Sequence, residues 1–340
     1  MKGSAFLGFV FLITFFSCSD PDGNQEQVTT LLHQIVIPDH FPEISFPEEN
    51  KFSAERWALG KKLFYEKRLS VDSTISCASC HKPSFAFADN TSMTSGVFGR
   101  QGVTNSPSLA NVAYHPYYTR EGGVPTLEMQ VLVPVSEHNE FGFNIVEIAE
   151  RLKYDKIYKE MALKAYGRPL DPFVITRSIS TFERSIITGD SKYDKYLKGT
   201  ATLSAEESLG KELFFSEKTN CSSCHQGFNF TDYAFKNNGL YETYDNPGRF
   251  RLTQKDGDLA LFKTPGLRNV GFTSPYMHDG SMATLHDVIE HYNSGGKNHV
   301  NKSNLIRPLG LTDKEKKALV AFLHTLDDYT LLASPYLREY

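Results

Sequence analysis

Apolar positions recur at helical spacing in several separate stretches of this chain. Leu59-Gly60-Lys61-Lys62-Leu63-Phe64-Tyr65 and Leu209-Gly210-Lys211-Glu212-Leu213-Phe214-Phe215 each read as the end of an amphipathic helix. Ile175, Ile179, Phe182 and Ile186 form a stripe, and so do Ala318, Leu319, Phe322, Leu323 and Leu326. The last stripe follows Thr312-Asp313-Lys314-Glu315, a capping-box pattern, and Ser204 stands as N-cap of the helix that opens after Leu203. Val146 to Tyr166 has a further helical pattern, and Leu285 to Tyr292 another. No run sustains the alternation of a strand. The expected fold is mainly α, with long loops rich in Gly, Pro, Asn and Tyr.

The two Leu-Gly-Lys-x-Leu-Phe strings mark an internal repeat. It divides the chain into 51–200 and 201–340, joined near Gly199 to Leu203. Ahead of the repeat, 19–50 is mostly polar, with Pro38, Pro42 and Pro47 near its end, and reads as a tether and extended lead-in. Residues 1–18 carry Lys2, an apolar run from Ala5 to Phe16, and then Ser17-Cys18, the pattern of an export signal. Phe15-Phe16-Ser17-Cys18 is similar to a bacterial lipobox, which predicts a lipid anchor at Cys18 and a periplasmic location. The apolar run is too short to span a bilayer.

Composition narrows the function. A net charge of −4 over 340 residues gives no footprint for nucleic acid, and 40% apolar content is that of a globular chain. Of five cysteines, Cys18 is in the lipobox. The other four stand in Cys77-Ala78-Ser79-Cys80-His81 and Cys221-Ser222-Ser223-Cys224-His225. Cys-x-x-Cys-His is the attachment pattern of c-type haem: two thiols add to the porphyrin vinyl groups and the adjacent imidazole ligates iron. A lone Cys-x-x-Cys could be a redox dithiol or half a zinc site. The immediate His, the duplication and the export signal reject both. Two covalent haem c groups follow, on His81 and His225, one in each of two cytochrome c-like domains in tandem.

The chain resembles the bacterial di-haem cytochrome c peroxidases and their MauG-type relatives over about 50–330. The resemblance is carried by the two haem loops, Asn105-Ser106-Pro107-Ser108-Leu109-Ala110-Asn111, Glu121-Gly122-Gly123 with Gln130 and Pro134, Thr264-Pro265-Gly266-Leu267-Arg268-Asn269, Pro275-Tyr276-Met277-His278-Asp279-Gly280 and Tyr292-Asn293-Ser294-Gly295-Gly296. It implies an oxidoreductase in which the N-terminal haem reacts with hydrogen peroxide. The C-terminal haem would take electrons from a small cytochrome c or a cupredoxin, and the enzyme would be a homodimer. The family spacing assigns the distal acid–base carboxyl to Glu140 and a supporting hydrogen-bond donor to Gln130. From the residues alone, Glu140 reads equally as a solvated loop acid, beside Glu137 and His138. The resemblance also implies a Ca²⁺ between the haems, held by Asn105 and the carbonyls of Thr273 and Pro275.

Three positions depart from the family pattern. A His that caps the resting N-terminal iron falls on Val97 here, which predicts an open sixth position. The Trp between the haems falls on Arg120, leaving Tyr117, Tyr118 or the backbone for electron transfer. Arg120 reads either as a group polarising peroxide or as a structural ion pair. The sixth ligand of the second haem falls on Tyr292, with Met277 and Met282 as nearby thioethers. An open first haem and a Tyr-ligated second haem are features of MauG-type enzymes that oxidise another protein, and this is the alternative function. A pure electron carrier is a third reading, against which Glu140 and Gln130 stand. Arg268 and His278 are placed near haem propionates or the iron.

Overall fold

The computed structural model describes residues 37–339. The Cys18 lipobox and its apolar run lie outside the described residues. The principal helices are α1 (Ala54–Phe64), α2 (Leu127–Gln130), α3 (Ile145–Leu152), α4 (Lys156–Tyr166), α5 (Pro172–Arg184), α6 (Ala205–Phe214), α7 (Leu285–Ser294) and α8 (Asp313–His324). Among the described residues the one sheet is a two-stranded antiparallel ribbon, Phe235–Lys236 against Phe262–Lys263. The mainly α expectation holds.

Most helix starts follow from single residues. Ser204 accepts from the Glu207 N–H while the Glu207 carboxylate accepts from the Ser204 N–H, and Thr312 and Glu315 repeat the exchange. Asp171 caps α5, with Pro172 in the first turn, where its missing N–H costs nothing. The pattern from Val146 to Tyr166 is not one helix. It breaks after Leu152, and Asp155 caps the restart by accepting from the Ile157 N–H. Arg68 pairs with the same Asp155 carboxylate at 3.1 Å, which fixes the corner.

Two apolar cores form, one for each copy of the repeat. Leu59, Leu63, Ile148, Leu152, Ile175 and Ile179 build the first, with Cys77 packed on its edge. Leu213, Phe214, Leu285, Ile289, Leu319 and Phe322 build the second, with Cys221 on its edge. Each is organised by a close helix crossing, α1 on α5 and α6 on α8. A Cβ placed on Gly60 would sit 1.9 Å from the Ser178 carbonyl oxygen, and one on Gly210 would sit 1.9 Å from that of Ala318. Glycine in mid-helix is unfavourable by about 1 kcal/mol relative to alanine, yet here it lets two backbones touch. Gly60→Ala or Gly210→Ala is therefore expected to reverse the usual preference and destabilise the protein by about 2 kcal/mol or more, read as a lower thermal midpoint of the haem-loaded protein.

The crossings also superpose the copies. Ser178 corresponds to Ala318, Phe182 to Phe322 and Glu183 to Leu323. The lead-in is fastened to this body. Phe41 is buried, its ring centroid 4.6 Å from that of Phe228, and the side chain of Asn50 bonds Glu128 at 2.9 Å and the Arg177 carbonyl at 3.0 Å.

Candidate haem sites and the cavity between them

Both Cys-x-x-Cys-His motifs open onto one continuous cavity of about 560 Å³. Cys77, Cys80, Cys221 and Cys224 all lie on its wall. The two histidines are held alike. His81 Nδ1 lies 2.9 Å from the Phe87 carbonyl, and His225 Nδ1 lies 3.0 Å from that of Phe230. Each carbonyl requires a proton on Nδ1, which leaves Nε2 with its lone pair for a metal. Burial lowers both imidazole pKa values and keeps the rings neutral. This donor set fits covalent haem c at both motifs: paired thiols, a neutral imidazole of fixed tautomer and an apolar-lined cavity.

The wall near the first motif holds Gln130, Val131, Val133, Pro134, Glu137, Asn139 and Glu140. Gln130 ends α2, where Leu127, Gln130 and Val131 share the cavity face. Glu128 faces the other way and forms a buried pair with Arg184 at 2.6 Å. Glu140 is pinned through its backbone. Its N–H donates to Glu137 O at 3.0 Å, and its carbonyl accepts from the Val97 N–H at 3.0 Å. A Cβ at Gly96 would come within 2.0 Å of the Asn139 carbonyl oxygen, so glycine there permits the approach. Burial, and secondarily the Glu137 carboxylate, raise the Glu140 pKa to about 7. Glu137 also touches the cavity but is exposed, and the exposed His138 engages Arg100. A carboxyl whose pKa is raised to about 7 lies in the working range for proton transfer.

Val97 is fully buried and away from the cavity. Among the described residues, no imidazole, thioether or phenol lines the cavity between 94 and 109 or between 130 and 141. Near the second motif, Leu285, Val288, Ile289 and Tyr292 turn one face of α7 to the cavity. Burial raises the Tyr292 phenol pKa, and its neighbours include Cys221 and Cys224. Met277 also lines the cavity, its sulfur accepting from Asn238 Nδ2 at 3.3 Å. Met282 does not line it.

Arg120 lines the cavity and chelates one residue. Its Nε and Nη2 donate to the Asn105 carbonyl at 3.2 and 2.7 Å, and Nη2 also reaches Asn105 Oδ1 at 3.2 Å. Thr273 and Pro275 line the same cavity, so the three positions expected to hold Ca²⁺ share one cavity. The oxygens of Asn105 that would face a cation already accept from a guanidinium, and the set does not fit a divalent ion. Among the described residues Arg120 forms no salt bridge, the structural role considered from sequence. The Trp position is thus filled by a cross-brace. Tyr118 lines the cavity, whereas Tyr117 stacks on Phe235 at 5.1 Å and donates to the Tyr233 carbonyl. Trp57 is buried beside Phe182, and its Nε1 donates to Ser185 Oγ at 2.8 Å.

Arg268 has a partner other than the one expected from sequence. Arg268 lines the cavity but spends its guanidinium on Asp194, at 2.8 and 2.9 Å, so a propionate is not its partner. His278 lines the cavity, as the sequence reading expects, with its ring stacked on Phe262 at 4.2 Å. One feature was missed. Glu183 lines the cavity beside Cys77 at 5% exposure, and its Oε2 has no hydrogen-bond partner among the described residues. Burial pushes its pKa up to about 8. The repeat carries the signal that would have found it: the equivalent position in the second copy is Leu323, so a carboxyl stands where an apolar wall residue belongs.

Duplicated covalent haem loops on one cavity, with a half-buried carboxyl near the first, define a di-haem oxidoreductase. The comparisons agree. The di-haem cytochrome c peroxidase profile matches residues 54–202, and a cytochrome c profile matches 208–327. The chain is 30% identical to methylamine utilization protein MauG of Methylorubrum extorquens, over 90% of this chain and 86% of that one. It is 32% identical to cytochrome c551 peroxidase of Nitrosomonas europaea, over 81% and 80%. A solved MauG-like protein associated with microbial copper homeostasis superposes with a TM-score of 0.85 at 36% identity, covering 89% of this chain and 97% of that one. The chain belongs to the di-haem cytochrome c peroxidase and MauG family.

Proposed function

We propose that this protein reduces hydrogen peroxide to water at its first haem, with electrons delivered through the second by a small cytochrome c or a cupredoxin. The observation that carries the reading is Glu140, a half-buried carboxyl on the cavity wall whose pKa is raised to about 7. Each peroxide takes up two electrons and two protons and leaves as two waters. Bound haem c supplies the iron redox chemistry. Glu140 takes the proton from the nearer peroxide oxygen and returns it to the departing one, and one carboxyl near neutral pKa serves both steps. Gln130, on the same wall, offers an amide to orient the peroxide. Arg120, committed to Asn105, is left to hold the wall rather than to polarise substrate. A divalent cation at Asn105 is no part of this reading.

His225 would hold the second haem together with, in this reading, Tyr292, which lies on the α7 face that lines the cavity and has Cys221 and Cys224 as neighbours. Export and lipidation at Cys18, supported by the sequence alone, place the enzyme in the periplasm on a membrane anchor, and a homodimer follows the family's habit. Among the described residues no helix is long and apolar enough to cross a membrane.

The decisive experiment is steady-state peroxide turnover with a reduced small cytochrome as donor. Sustained turnover supports the peroxidase. Negligible turnover, together with peroxide-dependent oxidation of a partner protein, supports the second reading, which Tyr292 and the 36%-identical MauG-like structure favour. The wall near the first motif adds an expectation: electron paramagnetic resonance of the fully oxidised protein shows a high-spin ferric signal without prior reduction. Two low-spin signals alone would refute the open sixth position.

A further inference from the structure

The Asn105 side chain has one available orientation. Its Nδ2 donates to the Thr91 carbonyl at 2.9 Å, and the backbone N–H donates to the His278 carbonyl at 3.0 Å. An amide nitrogen must face the Thr91 carbonyl, so Oδ1 points the other way, toward Arg120. The guanidinium fork then takes both oxygens of Asn105 together, main chain and side chain. A fork of this shape suits paired oxygens, and its charge is permanent.

Arg120 also joins the two copies of the repeat, because its carbonyl accepts from the Lys263 N–H at 2.7 Å. The Lys263 ammonium lies close by, donating to the Tyr117 carbonyl at 3.0 Å. Burial, then the charge of Arg120, lower the Lys263 pKa to about 8, a sign that this wall is already rich in positive charge. Glu121 and Asp279 are the acidic groups that offset Arg120. Hard divalent cations need several free oxygens and gain most from carboxylates. Here a cation would have to displace a guanidinium from Asn105 and then sit beside it.

We propose that the Arg120 guanidinium stands in for the divalent cation expected at Asn105, Thr273 and Pro275, bracing the wall between the two haem sites with a fixed single charge. The protein then needs no calcium, and its structure does not respond to the calcium concentration of its compartment. The same substitution removes the aromatic side chain from this position, so one residue changes both the electrostatics and the electron path of the wall.

The test uses the haem-loaded protein, dialysed against a chelator and analysed for metal. The expected content is below about a tenth of a calcium per chain, with the thermal midpoint unchanged by chelator or by added calcium. In Arg120→Gln the fork is gone and the Asn105 oxygens are released, so added calcium should raise the thermal midpoint of that variant. Arg120→Lys keeps the charge and should remain insensitive. About one calcium per chain retained by the wild-type protein, or a midpoint lowered by chelator, overturns the proposal. A folded Arg120→Gln that stays blind to calcium also overturns it. If that variant does not fold, the wild-type metal content and chelator response still decide.

Discussion

Glu140→Gln is expected to lower peroxide turnover by about 10²- to 10⁴-fold while both haems stay attached and the fold is kept. That range corresponds to roughly 3–5 kcal/mol of transition-state stabilisation. Glutamine preserves the volume and can still accept a hydrogen bond, but it cannot carry a proton from one peroxide oxygen to the other. The backbone of residue 140 is held by Glu137 and Val97 and not by its own side chain, so the change does not release the loop. The carboxyl must be ionised to begin the cycle. With its pKa raised to about 7 by burial and Glu137, wild-type turnover should fall as pH drops below about 7. That descending limb should be absent from the residual activity of the variant. Pre-steady-state mixing with peroxide across pH, alongside haem quantification, makes the measurement. A variant within a few-fold of wild type would remove Glu140 from the mechanism.

The second large effect concerns stability. Arg268→Leu is expected to lower the thermal midpoint by on the order of 10 °C, following a loss of about 3–5 kcal/mol. Asp194 is fully buried and takes both arms of the Arg268 guanidinium, along with the Ser191 hydroxyl and N–H. Removing the cation leaves a buried carboxylate with only Ser191 and His40, the latter at 3.2 Å. Desolvation opposes ionisation of Asp194, but the Arg268 hydrogen bonds and charge, with Ser191, outweigh it and hold the pKa near 2. The folded-state pKa is thus depressed below the unfolded value. The contribution is fully present above about pH 4 and is lost as pH falls through about 2, because the unfolded chain takes up the proton first. The wild-type midpoint should therefore decline steeply in that window, and the variant should show a shallower decline. Calorimetry or melting followed through the haem absorbance reads both. Replacing Arg268 and Asp194 together by apolar residues of matching volume should recover much of the loss, since it leaves no unpaired charge.

How much of this was legible beforehand depended on where the information lies. The haem motifs are contiguous and covalent, so five residues specify the cofactor without reference to the rest of the chain. The helix starts at Ser204 and Thr312 were also legible, since a cap and its partner lie three positions apart. The stripe over Val146 to Tyr166 misled by continuing through Asp155. Apolar spacing does not record a break at which a side chain caps a second helix and pairs with Arg68. Glu140 needed the family spacing to be named at all, because Glu137 and His138 have the same local character.

The sequence by itself determined the cofactor chemistry, the helical class, the duplication and the positions that depart from the family pattern. The tertiary structure decided what those positions do. It half-buried Glu140 and left Glu137 exposed, and it gave Arg120 to Asn105 and Arg268 to Asp194. It also left Glu183 Oε2 without a hydrogen-bond partner among the described residues, on the wall where Leu323 stands in the second copy. The physical reason is one of range. Covalent attachment and capping are encoded within a few residues. The charge state and partners of a buried polar group are set by desolvation and hydrogen bonds from segments tens of residues away, and no local pattern carries them.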